Sequence, residues 1–161
     1  MTTDHRAFLE DYCERWIAAW DSHDPDQLLA TFTDDIVWDD KTFWPNVIHG
    51  KEELRRYIEK IYAVMPDVRF EEKGRFFDPD QAKAIVLWRM WGSAPPGFPD
   101  KQFDFEGCDI FLGFRDGKLS HYQAAYDITD MMRQLGMLPE RNGKIGGAYF
   151  MSLLKAGRQA A

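Results

Sequence analysis

The stretch VWDDKTFW sets two adjacent carboxylates, Asp39 and Asp40, at the end of an apolar run that begins at Ile36. If Ile36–Asp40 is a strand, successive side chains alternate between its faces. One carboxylate then goes to water with Val37, and the other, Asp40, shares a face with Ile36 and Trp38. An ionised carboxylate among apolar groups is costly to bury and shifts in pKa, which suits a general base better than it suits fold stability. The plainer alternative, two strand-end residues capping the following loop, is equally compatible with the periodicity.

A second carboxylate shows the same placement. Along Gln102–Phe114, Phe103, Phe105, Asp109 and Phe111 share one face, while Asp104 and Glu106 share the other with Cys108 and Ile110. Asp109 therefore lies among aromatics. On the preceding strand, Arg89 shares a face with Ile85, Leu87 and Trp91, and is expected either to line a ligand cavity or to neutralise Asp109. Two carboxyl groups in one apolar cavity push each other's pKa values apart, so that one stays a base while the other stays protonated and donates a hydrogen bond.

Other chemistries find little support. The four histidines, His5, His23, His49 and His121, are scattered without metal-ligand spacing, and no cofactor is expected. Cys13 and Cys108 lack the close spacing of a redox or zinc pair and read as small buried hydrophobes. No nucleophilic-serine signature and no Gly-rich phosphate loop is present. With a formal charge of -7 and no run of Lys or Arg, the chain does not offer a nucleic-acid or anionic-membrane surface. The amino terminus is charged from Asp4 onward, unlike a signal peptide, and about eighteen consecutive apolar residues occur nowhere, so a cytoplasmic protein without a membrane span is expected.

The elements that must position these residues follow from pattern. Phe8, Tyr12, Trp16 and Trp20 recur every fourth residue, an aromatic stripe on a first helix that starts near Thr3 or Asp4. Asp24 and Pro25 open a short second helix as N-cap and first helical residue. KEELRRYIEKIY carries Leu54, Tyr57, Ile58 and Ile61 at helical spacing and ends before Pro66. The period then changes. Val68–Phe77, Ala82–Trp91, Gln102–Phe114 and Lys118–Asp127 are rich in β-branched and aromatic residues, and DPDQ and RDGK supply turns, so an antiparallel meander is expected. GSAPPGFPDK reads as a loop over one end of the sheet. A short closing helix stops at Gly136. Residues 1–139 are thus expected to form a single α+β domain with helices on one face of an antiparallel sheet, and a strongly curved sheet with the helices in its concave side would leave a cavity lined by these aromatics. Residues 140–161 form a tail carrying a weakly amphipathic helix, Ala148–Lys155.

Three segments carry a resemblance. RWIAAWDSHDPDQLLATFTDDIVWDD and IHGKEEL resemble the first helices and strand of bacterial ketosteroid isomerase, and CDIFLGFRDGKLSHYQAAY is similar to its last strand pair. That enzyme belongs to the nuclear-transport-factor-2-like superfamily, which implies a cone-shaped α+β fold with a strongly curved antiparallel sheet enclosing a cavity against three amino-terminal helices. AYDITDMMRQLG looks like the close of SnoaL-type polyketide cyclases on the same fold. The resemblance covers most of Arg15–Tyr126. It implies that Asp40 is the general base and Asp109 the protonated acid of the oxyanion hole, a pairing already known as a case of a carboxyl kept neutral by its apolar site. It also implies a homodimer formed through the outer sheet face. Two positions depart from the pattern. Trp16 stands where the isomerase has its oxyanion-hole tyrosine, with Tyr12 one turn earlier as a substitute, and Ala124 stands where the cyclases have a catalytic aspartate. The expected activity is a cofactor-independent proton transfer beside a carbonyl on a bulky apolar ketone such as a steroid or polyketide. The expected ligand-binding residues are Tyr12, Trp16, Trp38, Arg89, Trp91, Phe103, Phe105 and Phe111. A non-catalytic small-molecule binding module is the rival.

Overall fold

The computed structural model describes residues 2–40, 42–141 and 151–152. Helices α1 (Thr2–Asp21) and α2 (Pro25–Leu29) come first, followed by strand β1 (Phe32–Asp39), a two-residue strand β2 (Ile48–His49) and helix α3 (Lys51–Val64). Four long strands then run in succession, β3 (Arg69–Asp78), β4 (Lys83–Ser93), β5 (Gln102–Arg115) and β6 (Lys118–Tyr126), before helix α4 (Ile128–Gln134). The expected tail helix, residues 148–155, lies outside the described residues except for Met151 and Ser152.

The six strands form one open sheet in the order β2-β1-β6-β5-β4-β3. As the turn chemistry implied, β3 to β6 is an antiparallel meander. The sheet as a whole is mixed, because β1 joins β6 in parallel. A parallel neighbour needs a long crossover, and the whole run from α3 to β5 supplies it. Curvature has a local cause: the register shifts within β1 between Phe32 and Val37, within β3 between Glu72 and Gly74, and within β5 around Gly113, and such bulges bend a strand. The β5–β6 hairpin closes on Asp116 and Gly117, both at positive φ, as an Asp-Gly turn requires.

The expected N-cap of α2 is realised, and α4 has a cap of the same kind. The Asp24 side chain accepts from the Asp26 N–H at 2.9 Å to cap α2, and the Asp127 side chain accepts from the Thr129 N–H at 2.9 Å to cap α4. The α1 stripe faces the sheet. Tyr12 meets Phe111 edge-on at 5.4 Å, and Trp16 meets Phe111 at 4.9 Å and Phe32 at 5.6 Å. Leu54, Tyr57 and Ile58 of α3 are buried beside β1.

The core has two parts. One gathers the α1 stripe, Phe32, Ile36, Trp38, Tyr57, Phe111 and Tyr122, and the other gathers Met65, Val68, Trp88, Met90, Phe103, Phe105, Met131 and Leu135. Phe43, Ile61, Tyr62 and Phe70 pack against both. The candidate site lies at this junction.

Candidate functional site

Asp40 is the first residue past β1, and the strand alternation places it as expected: Ile36, Trp38 and Asp40 are buried, and Asp39 turns to the opposite face. Its carboxylate is held by two phenols. The Tyr57 hydroxyl of α3 donates to Oδ2 at 2.6 Å, and the Tyr126 hydroxyl at the end of β6 donates to Oδ1 at 2.6 Å. The Phe43 N–H approaches Oδ1 only at 3.5 Å, so loop capping is the weaker part of the role. Burial and the Asp40 charge push both phenols well above the ordinary tyrosine pKa, which keeps them protonated donors.

Asp109 sits mid-strand in β5, on the inner face with Phe103, Phe105 and Phe111 as its alternation indicated. Trp16 Nε1–H donates to Oδ2 at 2.7 Å and the Tyr122 hydroxyl donates to Oδ1 at 2.6 Å. Burial raises the Asp109 pKa from 3.8 to about 6, against the opposing pull of Tyr122, Trp88 and Trp16, while the Asp40 charge adds to the rise. The Trp88 indole lies close enough to favour the charged form but does not reach hydrogen-bond geometry, and its Nε1 has no partner.

Both carboxylates open on one cavity. Its walls are Trp20, Trp38, Phe43, Tyr57, Ile61, Met65, Phe70, Trp88, Met90, Tyr122 and Tyr126 together with Asp40 and Asp109. Including its mouth the space is about 400 Å³, but the interior has only about 40 Å³ of room for water-sized molecules, enough for a few waters.

Several expected ligand contacts are elsewhere. Arg89 and Trp91 are on the outer face of β4. Its inner face is Ala84, Val86, Trp88 and Met90, and the pairing puts Val86 rather than Arg89 opposite Asp109. Arg89 grips Asp104 with two hydrogen bonds, at 2.8 and 2.6 Å, and packs over Trp91, so it neither neutralises Asp109 nor lines the cavity. Tyr12 points away and donates to the Thr31 carbonyl at 3.0 Å, which rules it out as a stand-in for Trp16. Phe103 and Phe105 belong to the core under α4, and Phe111 to the core under α1; none of the three lines the cavity. Trp16 is not in the cavity wall; it backs the site through its N–H on Asp109 and its ring contacts with Trp20, Trp38 and Tyr122. Of the expected aromatic ligand contacts, Trp38 alone is in the wall.

Sequence reasoning missed Tyr57, Tyr122, Tyr126 and Trp88. Tyr122, Ala124 and Tyr126 do share one face of β6, so a period of two around Ala124 was the available signal. Ala124 lies opposite Asp109 in the β5–β6 register, between the two tyrosines. No histidine lines the cavity. Among the described residues, no group of three or more His, Cys, Asp or Glu is arranged to hold a metal, and no helix is long and apolar enough to cross a membrane.

A mixed α+β fold in which helices and a curved open sheet enclose a polar-bottomed pocket defines the class, and comparison with known proteins agrees. Residues 13–122 match the SnoaL-like domain family, and the chain belongs to that family. Among solved structures, it is similar to a phenazine biosynthesis-related protein from Pseudomonas aeruginosa, with TM-score 0.72, 18% identity, and coverage of 86% of this chain and 92% of that one. It is similar to TsrD from Streptomyces laurentii, with TM-score 0.68, 25% identity, and coverage of 83% and 98%. A protein from Catenulispora acidiphila with a ketosteroid isomerase-like fold, in complex with trimethylamine, gives TM-score 0.68 at 18% identity, covering 78% and 92%. No protein among curated sequences matches significantly.

Proposed function

We propose that the protein is a cofactor-independent enzyme that transfers a proton beside a carbonyl of an apolar ketone, with Asp40 as the base and Asp109, when protonated, donating to the developing enolate. The observation that carries this reading is the Asp40 carboxylate, 4% exposed, held by two phenols in the wall of a cavity that is otherwise mostly apolar. An ionised carboxylate offers about four acceptor positions, so the two phenols leave room for an incoming proton. They also fix the carboxylate's orientation, which is what a base needs to meet a C–H bond. Asp109, with a pKa near 6, is the second group; its protonated fraction grows as pH falls, and with it the donor. Trp16 is a positioning residue, since its N–H is spent on Asp109.

Substrate size is set by the cavity. A bulky ketone such as a steroid or polyketide enters only if the inner walls re-pack, and Met65 and Met90 are the flexible side chains available for that. The reading includes a homodimer in the cytoplasm. Its support is the outer sheet face, where Phe76 is 62% exposed beside its register partner Ile85 and the neighbouring Leu87; sedimentation equilibrium would test the dimer. A binding module remains the second reading, favoured by the small interior and by protein donors on all four carboxylate oxygens.

Turnover separates the two. The protein should speed α-deuteration of one of a graded set of ketones, cyclohexanone, β-tetralone or a steroid ketone, in heavy water. Saturable binding of these ketones with no exchange above buffer would leave the binding module standing.

A further inference from the structure

Two donors in the cavity wall lack an acceptor. Trp38 and Trp88 both line the space, and the indole Nε1 of each is buried with no hydrogen-bond partner. An indole nitrogen only donates, and a buried donor left unmade costs about 1–3 kcal/mol. The oxygens of Asp40 accept from Tyr57 and Tyr126 and those of Asp109 from Tyr122 and Trp16, and neither indole N–H reaches any of them in hydrogen-bond geometry.

Both rings are held in place. The Trp38 ring stacks on Tyr122 with centroids 3.6 Å apart and planes 16° from parallel. The Trp88 ring lies against Gly107, where an added Cβ would stand 2.5 Å from it, and has Tyr126 at 5.5 Å on another side. Each donor is therefore fixed by partners that themselves hold a site carboxylate, Tyr122 for Asp109 and Tyr126 for Asp40.

We propose that the indole N–H groups of Trp38 and Trp88 receive the ligand's carbonyl oxygen and hold the enolate oxygen it becomes. The role rests on the proton-transfer reading of the same cavity. The α C–H bond breaks and its proton passes to an Asp40 oxygen, the freed electron pair forms the C=C bond, and the carbonyl becomes an enolate whose oxygen faces two N–H dipoles. The proton then returns from Asp40 to carbon. Trp88 stands next to Asp109, so one oxygen can meet both the indole donor and the protonated carboxyl. The arrangement also sets a ligand class: the deep oxygen must be an acceptor, and an N–H or ammonium in its place would face donors.

The test pairs β-tetralone with the tetralin that carries an exocyclic methylene in place of the oxygen. The two have nearly the same shape, and only one has an acceptor. β-Tetralone should bind about tenfold or more tighter than the hydrocarbon, the worth of one to two hydrogen bonds, and should move two indole N–H proton resonances downfield that the hydrocarbon leaves unmoved. These resonances are assigned to Trp38 through its joint contacts with Tyr57 and Tyr122, and to Trp88 through its contact with Tyr126, so the reading needs no variant to fold. In Trp38→Phe the advantage of the ketone should shrink while hydrocarbon binding persists. Equal binding of the two ligands, failure of both to bind, or a ketone that binds with both indole resonances unmoved overturns the proposal. Deuterium exchange in the same samples reads the base separately. Exchange that depends on Asp40 without indole shifts keeps the proton-transfer reading and discards the donors; indole shifts with no exchange do the opposite.

Discussion

The two carboxylates at the floor of the cavity are buried to a similar degree and yet are held in different ways. Asp40 stands at the end of a strand, on the lip of a loop, and its partners come from a helix and from the far end of another strand. Asp109 is locked in the middle of a strand between an indole and a phenol, with apolar neighbours and a raised pKa. A base must approach its substrate, and the loop-edge position with phenol partners allows it. A donor must hold a proton, and the mid-strand apolar position favours that. In the proposed reaction the same residue type takes opposite roles through its surroundings.

The largest expected effect in this comparison is on the Asp109 side. Trp16→Phe removes a fully buried indole and leaves Oδ2 without its donor, so we expect a loss of about 2–4 kcal/mol in denaturant unfolding. The Asp109 pKa should also rise further, because a donor to the charged form is gone. An Asp109 carboxyl band that titrates at the same pH in the variant would show that the indole does not matter to the charge.

Next is the pH dependence. Asp109 has a folded pKa of about 6 against 3.8 for an unperturbed carboxyl, so the folded state holds the proton more tightly than the unfolded chain. The resulting stabilisation is fully present below about pH 4 and is lost as pH rises through about 6, an amount of about 3 kcal/mol. Asp109→Asn should remove this downward slope from the stability profile. A variant whose profile parallels the wild type over that window would mean that Asp109 is already ionised throughout.

On the Asp40 side the partners should be worth less singly. Tyr57→Phe and Tyr126→Phe should each cost about 1–3 kcal/mol of stability, and the double change should cost less than the sum if both phenols act on the same charge. Additive losses would break the picture of one shared clamp. The smallest effect on turnover should come from Asp39→Asn, on the opposite face from Asp40, and a large loss there would mean that Asp39 rather than Asp40 serves the site.

Legibility followed the same division. Asp109 was readable because β5 alternates cleanly, with Phe103, Phe105 and Phe111 on one face and charged Asp104 and Glu106 on the other. β4 was not, because both of its faces are apolar: Ile85, Leu87 and Trp91 on one, Val86, Trp88 and Met90 on the other. Alternation cannot choose between two apolar faces, and the choice of the wrong one brought in Arg89 and left out Trp88. The helix cap at Asp24 was legible since it is a local hydrogen bond two residues long. The phenols on Asp40 were not. Tyr57 is 17 residues away and Tyr126 is 86, and only the folded sheet brings them to one carboxylate. Trp16 was correctly placed on the inner stripe, but its target, Asp109, is 93 residues distant.

The claim that Asp40 moves a proton is tested most directly by α-deuterium exchange into β-tetralone in heavy water, followed by proton resonance for the wild type and Asp40→Asn side by side. The account predicts exchange well above buffer in the wild type and a fall of about a hundredfold or more in the variant, with ketone affinity nearly unchanged because shape and most contacts survive. Equal exchange rates in the two proteins would contradict it.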